Sequence, residues 1–545
     1  MKNTKRIVSL LLAIVMSLSA MSLTGCELID ELMKPDEEQI DDETLEAMLD
    51  PVDDNYRTFY QIFVGSFSDG NNDGFGDLMG VINRMDYLND GDINNGNDLG
   101  VQGIWLSPIF SSPTYHKYDA KDYYQIDWRF GDMTVLQQLI DLCHERNVKI
   151  ILDLAINHTS DQHPWFVEFC KARKNKDTTN QYYNYYTCVS ASEKKGGVTY
   201  QQIAGTTMWY ECNFSGSMPE LNFDNPAVVE EMLNVAKFYL DMGIDGFRFD
   251  AIKYIYYGDN VRSAAFWEKY MKELREYKPD IYTIGECWSG ETEIAKYLGS
   301  MNCFNFAMAG AEGPAAVAAK GANIGTFINY IESYQDKVSG KNPDSMPIQF
   351  LSNHDQDRIA GSFLLDNNMK MAASLYLLSP GSPVIYYGEE IGLRGSRGSA
   401  MTDANRRLAM LWGDGDLVKN PTGSTYPADK QTKNTVAIQL ENENSILSHY
   451  QQLLSIRQRY PAVARGDYNA VSSSNKNFGG FYVEYKGEIL GIFHNTSTSE
   501  IRIDINQCTG LDGNTFSQLC EVVGNGASLD GNILTIAAQT SVILK

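Results

Sequence analysis

The stretch GIDGFRFDAIKY, Gly243 to Tyr254, decides how the chain is read. It has the look of a buried strand, yet Arg248 and Asp250 sit in the middle of it. Side chains alternate along a strand, so Phe247 and Phe249 point one way and Gly246, Arg248 and Asp250 the other. The Phe face can pack beneath helices. The opposite face holds a cation and a carboxylate, whose burial is costly unless they are paired or used. The pair is therefore either a structural ion pair or the floor of an active site.

Similar apolar runs recur on both sides of this stretch. They are FYQIFV (59–64), VQGIWL (101–106), VKIILDLAIN (148–157), IDGFRFD (244–250), DIYTIGE (280–286), MNCFNF (301–306), MPIQFLSN (346–353) and SPVIYYG (382–388). Helical patterns lie between them, such as 134–147, 226–243 and 264–277. Eight strands alternating with helices predict an α/β fold, a closed (β/α)8 TIM barrel over 55–157 and 219–460. A doubly wound sheet is the alternative, but no glycine-rich phosphate loop follows the first strand. Residues 158–218, polar and Tyr-rich, interrupt the alternation after strand three and predict an inserted B subdomain over the barrel mouth. Alternating runs with Gly and Asn turns from 461 to 545 predict a C-terminal antiparallel β-sandwich.

At 545 residues the chain exceeds one ordinary core, which agrees with a large domain and smaller companions. Its net charge of −25 argues against nucleic acid and against anionic lipid held by charge. A neutral carbohydrate partner is more natural, and 32 Tyr with 7 Trp supply flat faces for sugar rings. The N-terminus reads as an export signal over 1–25, with Lys2, Lys5 and Arg6 before an apolar run. The run ends at Leu23-Thr24-Gly25-Cys26, which resembles a bacterial lipoprotein processing box with Cys26 as the lipidated residue. An ordinary cleaved signal is one alternative and a single uncleaved span the other. Lipid chains on Cys26 would hold the protein on the outer face of a membrane in the cell envelope. From Glu27 to Asp54 there are thirteen Asp or Glu against one Lys, so residues 26–54 read as a self-repelling acidic tether. The eight further cysteines form no CxxC cluster; by proximity in sequence, Cys188 with Cys212 and Cys508 with Cys520 are candidate disulfides.

Barrel chemistry sits at the C-terminal ends of strands. Strand three ends in Asp153, Asn157 and His158, strand four in Arg248 and Asp250, strand five in Glu286, strand seven in His354 and Asp355. Any one of these carboxylates could cap a helix; several converging on one rim repel each other and need a functional reason. Three carboxylates with an Arg and two His, and no metal motif, suit glycoside hydrolysis, in which one acid donates a proton and another attacks or activates water. Arg248 would keep Asp250 charged, and neighbouring carboxylates would raise the pKa of Glu286, which divides nucleophile from acid.

The ordered set DLAINH, MPELN, GFRFDAIKY, GECW, FLSNHD and GSPVIYYGEE resembles the α-amylase family, glycoside hydrolase family 13, from about Tyr56 to the C-terminus. The resemblance implies Asp250 as nucleophile, Glu286 as general acid/base and Asp355 as the third carboxylate. It also implies Tyr118, Asp119, His158, Arg248, Lys253 and His354 around the sugar. Where the family often has Lys-His this chain has Lys253-Tyr254; the calcium that family members share between barrel and insert uses that His together with Asn157, so the resemblance does not extend that site to this chain. Glu220 in MPELN replaces the Asp of the MPDLN form, and Ala251 after the nucleophile favours α-1,4 over α-1,6 cleavage. The loop DGNNDGFGD, Asp69 to Asp77, spaces its oxygens like the start of an EF-hand loop, although Gly80 stands at position twelve; an Asx/Gly turn is the alternative. Family members carry a calcium loop at this place, which implies Asp69, Asn71, Asp73, the Phe75 carbonyl and Asp77 as ligands. Together these readings predict an endo-acting, retaining α-amylase on α-1,4-glucan. The alternatives are neopullulanase or oligo-1,6-glucosidase activity, or a non-catalytic surface glycan-binding barrel.

Overall fold

The computed structural model describes residues 54–545. The signal segment 1–25, Cys26 and the tether up to Asp53 lie outside the described residues. Seven strands of the barrel are regular and parallel: Phe59–Ile62, Gly103–Leu106, Lys149–Leu154, Gly246–Phe249, Tyr282–Gly285, Asn302–Cys303 and Val384–Tyr386. The expected seventh strand is not regular. Residues 346–351 make one parallel bridge, Ile348 to Phe304, yet they still close the ring, since Asn305 N–H donates to the Ile348 carbonyl (2.9 Å) and Val384 N–H to that of Gln349 (2.8 Å). Pro347 has no N–H to give, which shortens what the ladder can form here.

The alternation expected at the fourth strand is present. Phe247 and Phe249 join the core between sheet and helices, where the Phe249 ring lies 4.8 Å from that of Trp267 on helix Asn260–Tyr277. Gly246 is required: a Cβ there would come within 1.7 Å of the Tyr282 carbonyl on the neighbouring strand. A separate cluster including Phe59, Trp105, Ile151, Tyr282 and Phe350 packs together from alternate strand positions, as expected of a filled barrel interior.

After the third strand the chain forms helix Pro164–Asn175 and a three-stranded antiparallel sheet of Cys188–Ser190, Tyr200–Gln202 and Met208–Glu211. The helix is set by His163, whose ring accepts from the Trp165 N–H, and by Pro at its first turn. The C-terminal strands begin at Asp467, after a short helix Pro461–Arg465, and form a five-stranded and a three-stranded sheet around Val471, Phe493, Leu534 and Val542.

The two expected disulfides are absent, and all cysteines from Cys143 onward are free thiols. Cys508 belongs to the core of the C-terminal sheets, whereas Cys520 packs against the main core. Cys188 stands opposite Tyr210, not Cys212. Closeness in sequence did not become the side-chain approach a disulfide requires.

Candidate active site

The sheet register builds the site. Asp153 on the third strand is the direct neighbour of Arg248 on the fourth, and the Glu286 N–H donates to the Phe249 carbonyl at 2.9 Å, so Glu286 sits just past the strand ends. Arg248 is fully buried and its Nη1 bonds both Asp153 Oδ1 (2.7 Å) and Asp250 Oδ1 (2.6 Å). Its Nη2 lies 3.2 Å from Glu286 Oε2, an ion pair without hydrogen-bond alignment. A structural ion pair would have needed one carboxylate; this guanidinium gathers three.

The carboxyls are electrostatically distinct. Burial pushes Glu286 up to about 8; Arg248 opposes this, while the charges of Asp250 and Asp355 add to it. Its Oε2 also accepts the Ala251 N–H at 3.0 Å. Asp355 shares its enclosure, which raises it, but contacts with His354 (3.0 Å) and Arg407 (2.7 Å) outweigh this and hold the carboxyl well below the usual range. Burial pushes Asp153 up to about 7 against the pull of Arg248.

His354 is fixed from both sides. The Gln61 amide lies 2.7 Å from Nδ1, while Nε2 faces the Tyr118 hydroxyl (2.7 Å) and Asp355 Oδ2 (3.0 Å). Burial keeps the ring below its ordinary pKa. With the Gln61 N–H donating to Nδ1, the proton of the neutral ring sits on Nε2. Tyr118 stacks on the ring at 5.4 Å and 8°, and its hydroxyl donates to Asp153 Oδ2 at 2.8 Å.

Other polar atoms are left open. Both ring nitrogens of His158, which burial keeps low in pKa, have no hydrogen-bond partner, nor does Asp119 Oδ2. The other Asp119 oxygen accepts from the hydroxyls of Ser112 (2.7 Å) and Thr114. Buried donors and acceptors without partners are costly, and sugar hydroxyls are suited to satisfy them. Lys253 is placed differently from the others: its Nζ donates to the Trp288 carbonyl at 2.7 Å, and no ion pair links it to the carboxylates. Tyr254 packs its ring 4.9 Å from that of Phe214, which in turn lies 5.1 Å from His158. A cleft of 380 Å³ opens beside Asp355, lined by Trp288, Asp357, Arg358, Arg406 and Tyr426. Trp288, 47% exposed, stacks on Phe306 at 5.2 Å and offers its free face for a ring to pack on.

The Asp69–Asp77 loop stands apart from these groups. Asp69 accepts the N–H groups of Asn72 (2.7 Å) and Gly74 (2.6 Å), Asn71 accepts that of Asp73 (2.9 Å), and Asp73 that of Phe75 (2.8 Å). Asp77 caps helix Leu78–Asn83 through the Gly80 N–H at 2.6 Å. Burial raises Asp77, and the charges of Asp69 and Asp73 add to it. Among the described residues no group of three or more His, Cys, Asp or Glu side chains converges as a metal cage. An EF-hand-type loop also draws on Asn and carbonyl oxygens, and the oxygen-only donor set here fits calcium.

Sequence reading missed Arg407 and Gln61, which hold Asp355 and His354. Gln61 left a trace as the one polar residue in FYQIFV. Arg407, in the irregular stretch after the last strand, left none.

A parallel barrel with Asp250, Glu286 and Asp355 at its strand ends, Glu286 raised toward neutrality and Asp355 held ionised, defines a glycoside hydrolase. The chain belongs to the α-amylase family: a model of the α-amylase catalytic domain matches residues 61–466. Alpha-amylase 3 of Dictyoglomus thermophilum is 36% identical over 492 residues, covering 89% of this chain and 92% of that one. Oligo-1,6-glucosidase of Bacillus cereus is 30% identical, covering 81% and 90%. The solved structure of Eubacterium rectale Amy13B superposes with a TM-score of 0.83 at 32% identity, covering 92% and 98%.

Proposed function

We propose that this glycosidase is a retaining, endo-acting α-amylase that cleaves α-1,4-glucosidic bonds in starch and maltooligosaccharides. The observation that carries the reading is the single guanidinium of Arg248 between Asp250 and Glu286, with Glu286 raised to about 8. A protonated Glu286 gives its proton to the glycosidic oxygen as Asp250 attacks the anomeric carbon. The bond to the leaving sugar breaks, and a glycosyl ester on Asp250 forms. Glu286, now ionised, takes a proton from water, which attacks the same carbon and releases Asp250. Asp355 stays ionised to face the developing positive charge of the sugar ring.

Support for α-1,4 cleavage comes from the relative named alpha-amylase and from Ala251 after the nucleophile. The relative named oligo-1,6-glucosidase supports a second reading, α-1,6 cleavage of short oligosaccharides. Product analysis on amylose, pullulan and isomaltose separates them. Mixed maltooligosaccharides from amylose, released as α-anomers, are expected; glucose from isomaltose alone would contradict the proposal.

We propose calcium at Asp69, Asn71, Asp73, the Phe75 carbonyl and Asp77, with a role in stability. Chelation is then expected to lower the melting temperature, and an unchanged melt would contradict it. We also propose lipidation of Cys26, with attachment to an envelope membrane. Labelled palmitate is expected to enter the protein and to be lost in Cys26→Ser; equal labelling of the variant would contradict it.

A further inference from the structure

Two exposed aromatic rings that do not line the cleft both contact one arginine. Trp128 is 77% exposed and Phe75 45%. The Arg129 guanidinium lies 5.1 Å from the Trp128 ring centre and 5.3 Å from that of Phe75. Among the described residues that guanidinium has no ion pair and no hydrogen bond, so its donors are free at their edge. Scattered single hydrophobics on a surface need no explanation, but large aromatics gathered around an open polar group mark a binding surface.

The loops that carry the rings are held in place by their backbone. The Arg129 N–H donates to Asp127 Oδ1 at 3.2 Å, and Asp127 is locked by a buried 2.6 Å pair with Lys117, beside Tyr118. Phe75 is fixed by its N–H bond to Asp73, and the Gly76 N–H donates to the Gly65 carbonyl at 3.0 Å. Both rings sit on loops that follow the first and second barrel strands, at the ends where the carboxylates gather. An aromatic pair with free N–H donors at the edge matches the chemistry of a pyranose, which has apolar C–H faces and a rim of hydroxyls. The chain's net charge of −25 disfavours polyanions as the occupant.

We propose that Trp128, Arg129 and Phe75 form a second docking site for α-glucan chains, which holds polymer on the face where the cleft opens. This rests on the α-glucan reading above. The test is electrophoresis of the full chain through gels containing amylopectin, with hydrolysis of maltoheptaose and amylopectin measured in parallel. Trp128→Ala and Arg129→Gln are expected to weaken retardation about tenfold, the effect of losing one stacked or hydrogen-bonded contact. Turnover of maltoheptaose is expected to be unchanged and turnover of amylopectin reduced. Retardation equal to wild type in both variants would overturn the site. So would a Trp128→Ala variant that changes only oligomeric state in sedimentation, which would identify a protein contact instead. A wild-type protein that hydrolyses neither glucan would instead defeat the functional reading on which the site rests.

Discussion

Arg407 Nη2 lies 2.7 Å from Asp355 Oδ1, across 52 residues of sequence, and gives the third carboxylate its cation. The same side chain donates to the His354 carbonyl (3.0 Å) and the Tyr115 hydroxyl (3.1 Å), so it fixes both members of the seventh rim segment. Arg407→Gln removes the charge and most of these bonds. A charge-assisted hydrogen bond contributes about 1.5–3 kcal/mol, so kcat/KM on maltoheptaose is expected to fall about 10- to 100-fold. Steady-state kinetics beside a thermal melt check this, and unchanged kcat/KM would remove Arg407 from the site.

Asp153 touches no sugar in this scheme; it positions Arg248 and Tyr118. Asp153→Asn keeps its shape but leaves Arg248 with one carboxylate fewer in a buried setting. Breaking such a pair costs about 3 kcal/mol, so a lower melting temperature is expected together with reduced kcat. Restoring activity with Asp153→Glu would show that the carboxylate, rather than its reach, is what matters.

The pH profile follows from Glu286. Its folded-state pKa is raised to about 8, so the proton it must donate is present below that value and lost as pH rises through it. The alkaline limb of kcat/KM is expected near pH 8. A limb that stays in place in Glu286→Gln would assign the titration to another group.

Glu389 adds a stability prediction outside the site. It is buried, its Oε1 accepts from Tyr376 (2.7 Å) and Tyr450 (2.9 Å), and its Oε2 has no partner. Burial raises it to about 8, so the native state keeps a proton that the unfolded chain releases near 4.5. Stability therefore falls as pH rises between these values. Glu389→Gln is expected to flatten the dependence of melting temperature on pH over this window, and an unaltered slope would contradict the assignment.

Much of this was legible in residue patterns, for identifiable reasons. Alternation in GFRFD placed Phe247 and Phe249 outward and Arg248 inward because the strand is flanked on both faces, and Gly246 made the close strand approach possible. The seventh strand was legible as a run but not as irregular, since the cost of Pro347 depends on its neighbours. Arg407 was illegible because it enters the site from a stretch without periodicity, and only the folded chain brings it to Asp355. Cysteine pairing failed for the same reason: separation in sequence says little about which core a thiol faces.

The division of labour between Asp250 and Glu286 is tested most directly by trapping the covalent intermediate. Glu286→Gln is incubated with α-maltosyl fluoride, whose leaving group needs no proton, and the protein is weighed intact and as peptides. A maltosyl ester on the peptide that contains Asp250, absent in the Asp250→Asn, Glu286→Gln double variant, is expected. Turnover of the fluoride without any adduct, or an adduct on a different carboxylate, would contradict the account.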